Sequence, residues 1–209
     1  MQVATVGTMM APRGESPLRR WTAGWGVLAL LTSGCDVPAY FQGGDVALVA
    51  AVAQVIDDDS EQHRVGSRAL DLISYDWQHK LPGWTVEFTG PRPSILGVTL
   101  PHDKHIEIYV RTGQSVFEVA FTLAHELGHA VDITYNTAAE REAWLAARSI
   151  APGHDWWTGS GQRDFEVGSG DFAETFAVWQ LREHGRVRSH SPWGLPSRAE
   201  LVLLAQLAQ

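Results

Sequence analysis

Cysteine and lysine are among the scarcest residues of this 209-residue sequence, and each shortage excludes a class of protein. Because Cys35 is the only cysteine, no internal disulfide can stabilise the fold. Because Lys80 and Lys104 are the only lysines, the chain has no basic cluster that could bind phosphates, and we do not expect nucleic acid as a partner. Internal repeats and low-complexity tracts are also absent, which excludes repeat architectures.

The first 35 residues differ in composition from the rest of the chain. Residues 1–20 carry three arginines against a single acid, and residues 21–34 (WTAGWGVLALLTSG) are uncharged and lead to Cys35. This layout is typical of an export signal, and the small residues before Cys35 resemble a bacterial lipoprotein processing site. We therefore expect an exported protein with a lipoprotein signal peptide over residues 1–35 and a tether over residues 36–44. Lipidated Cys35 would attach it to the membrane. Simple secretion and a permanent transmembrane helix are the alternatives.

The rest of the chain is acidic and is long enough for one globular domain but hardly for two. Removal of residues 1–35 would leave 13 basic and 23 acidic residues, a net charge of −10. A negative net charge keeps many exported proteins soluble whatever they bind, so this charge does not identify a substrate.

Hydrophobic periodicity predicts an α+β domain over residues 45–209. Alternating apolar residues predict a small twisted β-sheet, and helical spacing predicts helices around it. The predicted strands are 84–90 and a hairpin within 95–110, and the predicted helices are 45–59, 64–79, 116–135, 169–181 and a C-terminal run within 196–209.

The segment TLAHELGHAVD, residues 122–132, places three polar side chains in an apolar helix. On a helix His125 and His129 lie about 40° apart around the axis and about 6 Å apart along it, so both imidazoles can bind one metal ion. Glu126 is rotated by about 100° and lies beside that site. This HExxH pattern is typical of zinc hydrolases in which the glutamate is the general base for a zinc-activated water. We also expect Gly128 to allow the close approach of a neighbouring element.

Two acidic residues are candidates for the third zinc ligand. Asp132 lies on the same helix and would have to reach back past His129, so we favour a supporting role that orients an imidazole or fixes a loop. Glu174 lies in the apolar helix SGDFAETFAVWQL, where a buried carboxylate needs a positive partner, and zinc would be that partner. We therefore predict one Zn²⁺ bound by His125, His129 and Glu174.

HELGHAVD followed about forty residues later by DFAETFA resembles the zinc peptidases of the anthrax lethal factor catalytic-domain type, including the secreted Pro-Pro endopeptidases. The resemblance covers mainly residues 105–181. It implies a zincin-like fold, His125, His129 and Glu174 as ligands, Glu126 as the base, and 105–110 as an edge strand that pairs with substrate. The relatives carry an oxyanion-stabilising tyrosine seven residues before the glutamate ligand, where this chain has Val167.

Three histidines are candidates to replace that tyrosine: His154, His184 and His190. The aromatic residues of the connection 155–171, namely Trp156, Trp157 and Phe165, form either one wall of the cleft or a satellite core beneath it. The C-terminal helix either packs on the domain or covers the cleft.

These observations predict an exported zinc metallopeptidase that hydrolyses peptide bonds in a protein or peptide substrate. The alternative is a non-catalytic zinc-binding or peptide-binding lipoprotein on a zincin scaffold. The missing tyrosine favours the alternative, whereas Glu126 favours the enzyme, because a binding protein needs no general base.

Overall fold

A computed structural model describes residues 61–158, 163–185 and 187–209. The predicted signal peptide, the tether and the helix predicted over 45–59 lie outside the described residues. None of the helices within the described ranges is both long and apolar enough to cross a bilayer.

The described residues contain a three-stranded sheet in the order β1-β3-β2. The strands are β1 (Thr85–Thr89), β2 (Gly97–Leu100) and β3 (His105–Tyr109). The predicted hairpin is confirmed, because β2 pairs antiparallel with β3. The expectation that 105–110 is an edge strand is wrong: β3 also pairs in parallel with β1. Ile106 and Ile108 of β3 are fully buried, and such a strand belongs at the centre of a sheet.

Helices precede and follow the sheet, so the fold is mixed α+β. They are α1 (61–70), α2 (Trp77–Lys80), α3 (Val116–Tyr135), α4 (Ala138–Ala147), α5 (Gly168–Leu181) and α6 (Arg198–Leu207), with a 3-10 turn at Asp164–Glu166. Capping boxes begin α3, α4 and α6, each with a serine or threonine at the N-cap and a glutamate three residues later.

The prediction of one helix over 64–79 is wrong, because the backbone leaves the helix after residue 70 and only α2 follows. The backbone N–H groups of Ser74 and Tyr75 donate to the side-chain oxygen of Gln180 in α5, at 3.0 and 2.8 Å. These tertiary bonds replace the intrahelical ones, and the local apolar pattern cannot reveal a partner more than one hundred residues away.

The centre of the core is the contact between α3 and α5. A Cβ at Gly128 would lie 2.7 Å from the backbone of Ala173, so glycine permits the close approach that the sequence suggested. The predicted apolar positions of α3 are all buried: Val119, Ala120, Leu123, Leu127 and Val131. This tight pairing fixes the orientation of α3 relative to α5. It therefore determines which neighbouring side chains can contact His125 and His129.

The C-terminal helix α6 packs on the domain, which is the first of the two arrangements that the sequence left open. Leu204 and Leu207 are buried, and α6 contacts α4 and α5. None of its residues lines the cleft described below.

Candidate metal centre

Two imidazole rings and one carboxylate converge at the floor of a cleft. The Nε2 atoms of His125 and His129 lie 2.8 and 3.2 Å from the same oxygen, Oδ2 of Asp164. All three donor atoms lie within 4.8 Å of one another. The two histidines therefore share one face of α3, as their spacing predicted, and both direct the same ring nitrogen toward one point.

Asp164 is a candidate site residue that the sequence did not reveal. It lies in the 3-10 turn between α4 and α5, in a connection rich in glycine and without periodicity. The turn lies directly against α5, because a Cβ at Gly170 would be only 2.0 Å from the Asp164 carbonyl oxygen. The only available signal was an acidic residue shortly before that glycine, and this signal is weak because acids are common in exposed connections.

Glu174 is buried beside His125, which agrees with its predicted apolar surroundings. Its Oε2 lies 3.2 Å from Nδ1 of His125, and its Oε1 accepts from the backbone N–H of His190 at 2.6 Å. The His190 ring nitrogen Nδ1 lies 3.0 Å from the same Oε1. The glutamate therefore meets His125 at the opposite ring nitrogen from the one that faces Asp164.

The electrostatics of this cluster follow from its hydrogen bonds. Burial opposes a charge on His125, but the bonds to Asp164 and Glu174 outweigh burial and raise the pKa of His125 to about 10. Burial would raise the pKa of Asp164 and of Glu174, but their hydrogen bonds with histidine hold both pKa values below the usual range. Without a metal these hydrogen bonds favour the protonated form of His125, and a metal bound at Nε2 would displace the proton from that nitrogen.

Glu126 is buried at the edge of the same cleft and is held by strand β2. The Thr99 hydroxyl donates to Oε2 of Glu126 at 2.7 Å and lies 3.0 Å from the Glu126 carbonyl oxygen. A Cβ at Gly97 would lie 2.8 Å from the Glu126 side chain, so the missing side chain leaves room for the carboxylate. The sequence did not predict the contacts of Glu126 with Thr99 and Gly97.

The cleft has a volume of about 680 Å³ and contains His125, Glu126, His129, Asp164 and Glu174 in its lining. Residues 94–99 form one wall, and Trp157, Thr158 and Phe165 form part of another. The aromatic residues of the connection thus divide between the two interpretations. Trp157 and Phe165 line the cleft, whereas Trp156 is turned inward, where its ring contacts Phe172.

Of the three histidines considered as substitutes for the missing tyrosine, the structure brings one into the cleft. His190 lines it, and its ring lies near the rings of Phe121 and Phe165. His154 contacts the Glu166 carbonyl oxygen and the Trp193 ring instead, and His184 is not part of the lining. The tyrosine position itself, Val167, is buried at the start of α5.

Asp132 fixes neighbouring segments, which is one of the supporting roles considered for it. Its fully buried carboxylate accepts from Arg141 of α4 at 3.0 Å, from the Trp156 indole at 2.9 Å and from Asn136 at 3.1 Å. It therefore joins α3 to α4 and to the connection that carries Asp164.

The types of donor atom at this site could hold a zinc ion. Zinc bonds of about 2.0–2.2 Å to nitrogen and oxygen, arranged tetrahedrally, separate ligand atoms by about 3.3–3.6 Å. The two separations from Asp164 Oδ2, 2.8 and 3.2 Å, lie below that range, so the side chains would have to move apart slightly to hold the ion. Neutral imidazole and carboxylate are also the ligands of catalytic zinc sites.

Searches against protein-family models, curated proteins and solved structures find no match for this chain. The resemblance to zincin peptidases therefore stays a prediction from the residues of HELGHAVD and DFAETFA.

Proposed function

We propose that this protein is a zinc-dependent peptidase. The observation that carries the proposal is the convergence of the His125 and His129 Nε2 atoms with a carboxylate oxygen, in a cleft whose lining also includes Glu126. His125, His129 and a carboxylate would hold the metal, with Asp164 and Glu174 both in contact with His125. A bound Zn²⁺ would supply Lewis acidity, which lowers the pKa of water and polarises a carbonyl.

Glu126 would take the proton from the attacking water and pass it to the leaving amine. Its carboxylate is suited to this role because Thr99 donates to one of its oxygens and so limits its rotation. Peptide hydrolysis needs this proton transfer, whereas a site that only stores zinc does not.

The shape and the lining of the cleft support a peptide substrate. Strand β2 lies beside the cleft, and within the described ranges no other strand pairs with its second edge. An extended peptide could pair with that edge through backbone hydrogen bonds. Three of the exposed large apolar residues, Ile95, Leu96 and Trp157, line the same cleft, which favours peptides with apolar side chains.

A non-catalytic zinc-binding or peptide-binding protein is the second candidate. It is favoured by one observation: no tyrosine is among the residues that line the cleft in the described part of the chain. Attachment through Cys35 and export remain proposals for either function, because the signal segment lies outside the described residues.

The test is cleavage of a diverse peptide library by residues 36–209, with zinc analysis of the same samples. We expect the Glu126→Gln variant to retain zinc and to lose activity by about 10²–10⁴-fold, the usual contribution of a general base. A chelated sample should lose both zinc and activity. Stoichiometric zinc without cleavage in the unmodified protein would support the binding protein. A protein without zinc would refute the peptidase and the zinc-binding protein, and would leave only the peptide-binding form of the second candidate.

A further inference from the structure

His125 meets a different carboxylate at each of its two ring nitrogens. Nε2 lies 2.8 Å from Asp164, and Nδ1 lies 3.2 Å from Glu174. A neutral imidazole offers only one nitrogen to a metal, and the other carries a proton that needs an acceptor. The question is which carboxylate belongs to the metal and which to that proton.

The contacts of His129 distinguish the two carboxylates, because among the described contacts this histidine faces Asp164 and not Glu174. Its Nε2 lies 3.2 Å from Asp164 Oδ2, the same atom that faces Nε2 of His125. An ion shared by the two histidines must lie where their Nε2 atoms converge, and this is the side of Asp164. Nδ1 of His125 lies on the opposite edge of the ring and donates away from that point.

Both oxygens of Glu174 already face donors of the protein itself. Oε2 accepts from His125, and Oε1 accepts from the backbone N–H of His190 and faces its ring nitrogen. Its side chain is only 3% exposed, whereas that of Asp164 is 41% exposed and lies open to the cleft. A carboxylate that accepts the second N–H of a metal-binding histidine is a recurrent feature of zinc sites, and it fixes the ring and its tautomer.

We propose that Asp164 is the third protein ligand of the zinc ion and that Glu174 is the positioning residue for His125. This inference rests on the proposed zinc site and assigns its carboxylates differently from the sequence prediction. The backbone supports it, because the absence of a side chain at Gly170 lets the Asp164 turn lie on α5, and the Val167 N–H closes that turn on the Asp164 carbonyl oxygen at 3.1 Å.

The test compares metal binding by the unmodified protein with that of Asp164→Ala, Asp164→Asn and Glu174→Gln. Zinc affinity is measured by competition with a chromophoric chelator, and the visible absorption of bound Co²⁺ reports the ligand set. Asparagine and glutamine keep the size of the native side chains, so they separate ligand loss from misfolding, and circular dichroism checks the fold.

We expect Glu174→Gln to weaken zinc binding by about 10–100-fold, the usual effect of losing an outer partner, with the Co²⁺ spectrum preserved. Both Asp164 variants should lose more affinity than that and should change the spectrum. If the Asp164 variants leave affinity and spectrum unchanged while unmodified protein binds zinc and cleaves peptide, the assignment fails and the proposed function stands. If the unmodified protein binds no zinc, both fail.

Discussion

Within the described part of the chain, two pairs of acidic residues differ in what neutralises them. Away from the cleft, Asp171 is fully buried and accepts from the Arg148 guanidinium through two bonds of 2.9 Å and from the Trp144 indole at 3.0 Å. Asp132 has the same kind of partners, an arginine and a tryptophan. At the cleft, Asp164 and Glu174 meet imidazoles instead.

This difference distinguishes acids that stabilise the fold from acids that are candidates for function. A guanidinium is always protonated and an indole N–H is always a donor, so Asp132 and Asp171 keep the same partners under all ordinary conditions. Imidazole can give up its proton and bind a metal, so Asp164 and Glu174 have partners that can change. The first pair holds the helices together, and the second pair can respond to a ligand.

The largest effect is expected when an acid of the first pair loses its partner. Replacing Arg148 with Met leaves the Asp171 carboxylate buried without its guanidinium, and we expect a loss of about 3–5 kcal/mol in the free energy of unfolding. Urea denaturation measures this loss. The control is Arg182→Met, because Arg182 pairs with Glu183 at the surface and should change stability by less than about 0.5 kcal/mol. Similar losses in both variants would remove the distinction.

Zinc should stabilise the protein through the cleft region alone. At free zinc one hundred times the dissociation constant, a ligand that binds only the folded state adds about 2.7 kcal/mol to the free energy of unfolding. We expect this gain in the unmodified protein and its loss on chelation, measured by thermal denaturation. The stability of the His129→Ala variant should change neither when zinc is added nor when it is chelated. If zinc still stabilised this variant, the metal would bind elsewhere.

The smallest effect is expected at the contact that positions Glu126. Replacing Thr99 with Val removes the hydroxyl that donates to the carboxylate, and a hydrogen bond to a charged group contributes about 1.5–3 kcal/mol. Peptidase activity should therefore fall by roughly 10–100-fold, the free energy of unfolding should fall by no more than this contribution, and zinc content should be little changed. Thr99→Ser keeps the hydroxyl and should restore most of the activity. Equal loss in the serine variant would mean that Thr99 acts through packing.

The sequence predicted those parts of the site that depend on one helix. His125, Glu126 and His129 follow from the 3.6-residue period of α3, and the burial of Glu174 follows from the apolar residues of α5. Asp164 could not be found in this way, because it is 35 residues from His129 and reaches the histidines through a turn that depends on Gly170. Thr99 was missed for the same reason, since its contact with Glu126 spans 27 residues.

The same distinction applies to the fold. The β2–β3 hairpin and the helices α3, α5 and α6 follow from local periodicity, and the structure has them close to the predicted bounds. The parallel pairing of β1 with β3 and the break after residue 70 depend on partners distant in sequence. Local patterns carry no record of such partners, so they predict one continuous helix over 64–79. The edge position of 105–110 is instead an implication of the resemblance to zincins, and the pairing of β3 with both neighbours overturns it.

The order in which the chain is synthesised determines when the network of contacts around Arg148 can form. Arg148 contacts Glu200 at 3.3 Å and the Gly194 carbonyl oxygen at 2.8 Å, and Asp171 accepts from the Ser191 hydroxyl. At about 5–20 residues per second, the ribosome adds Glu200 several seconds after Arg148. Until residue 190 is added, the nascent chain contains both histidines of α3 but lacks His190, which holds Glu174 beside them. The candidate metal centre therefore cannot take the arrangement described above until residues 190–200 have been added.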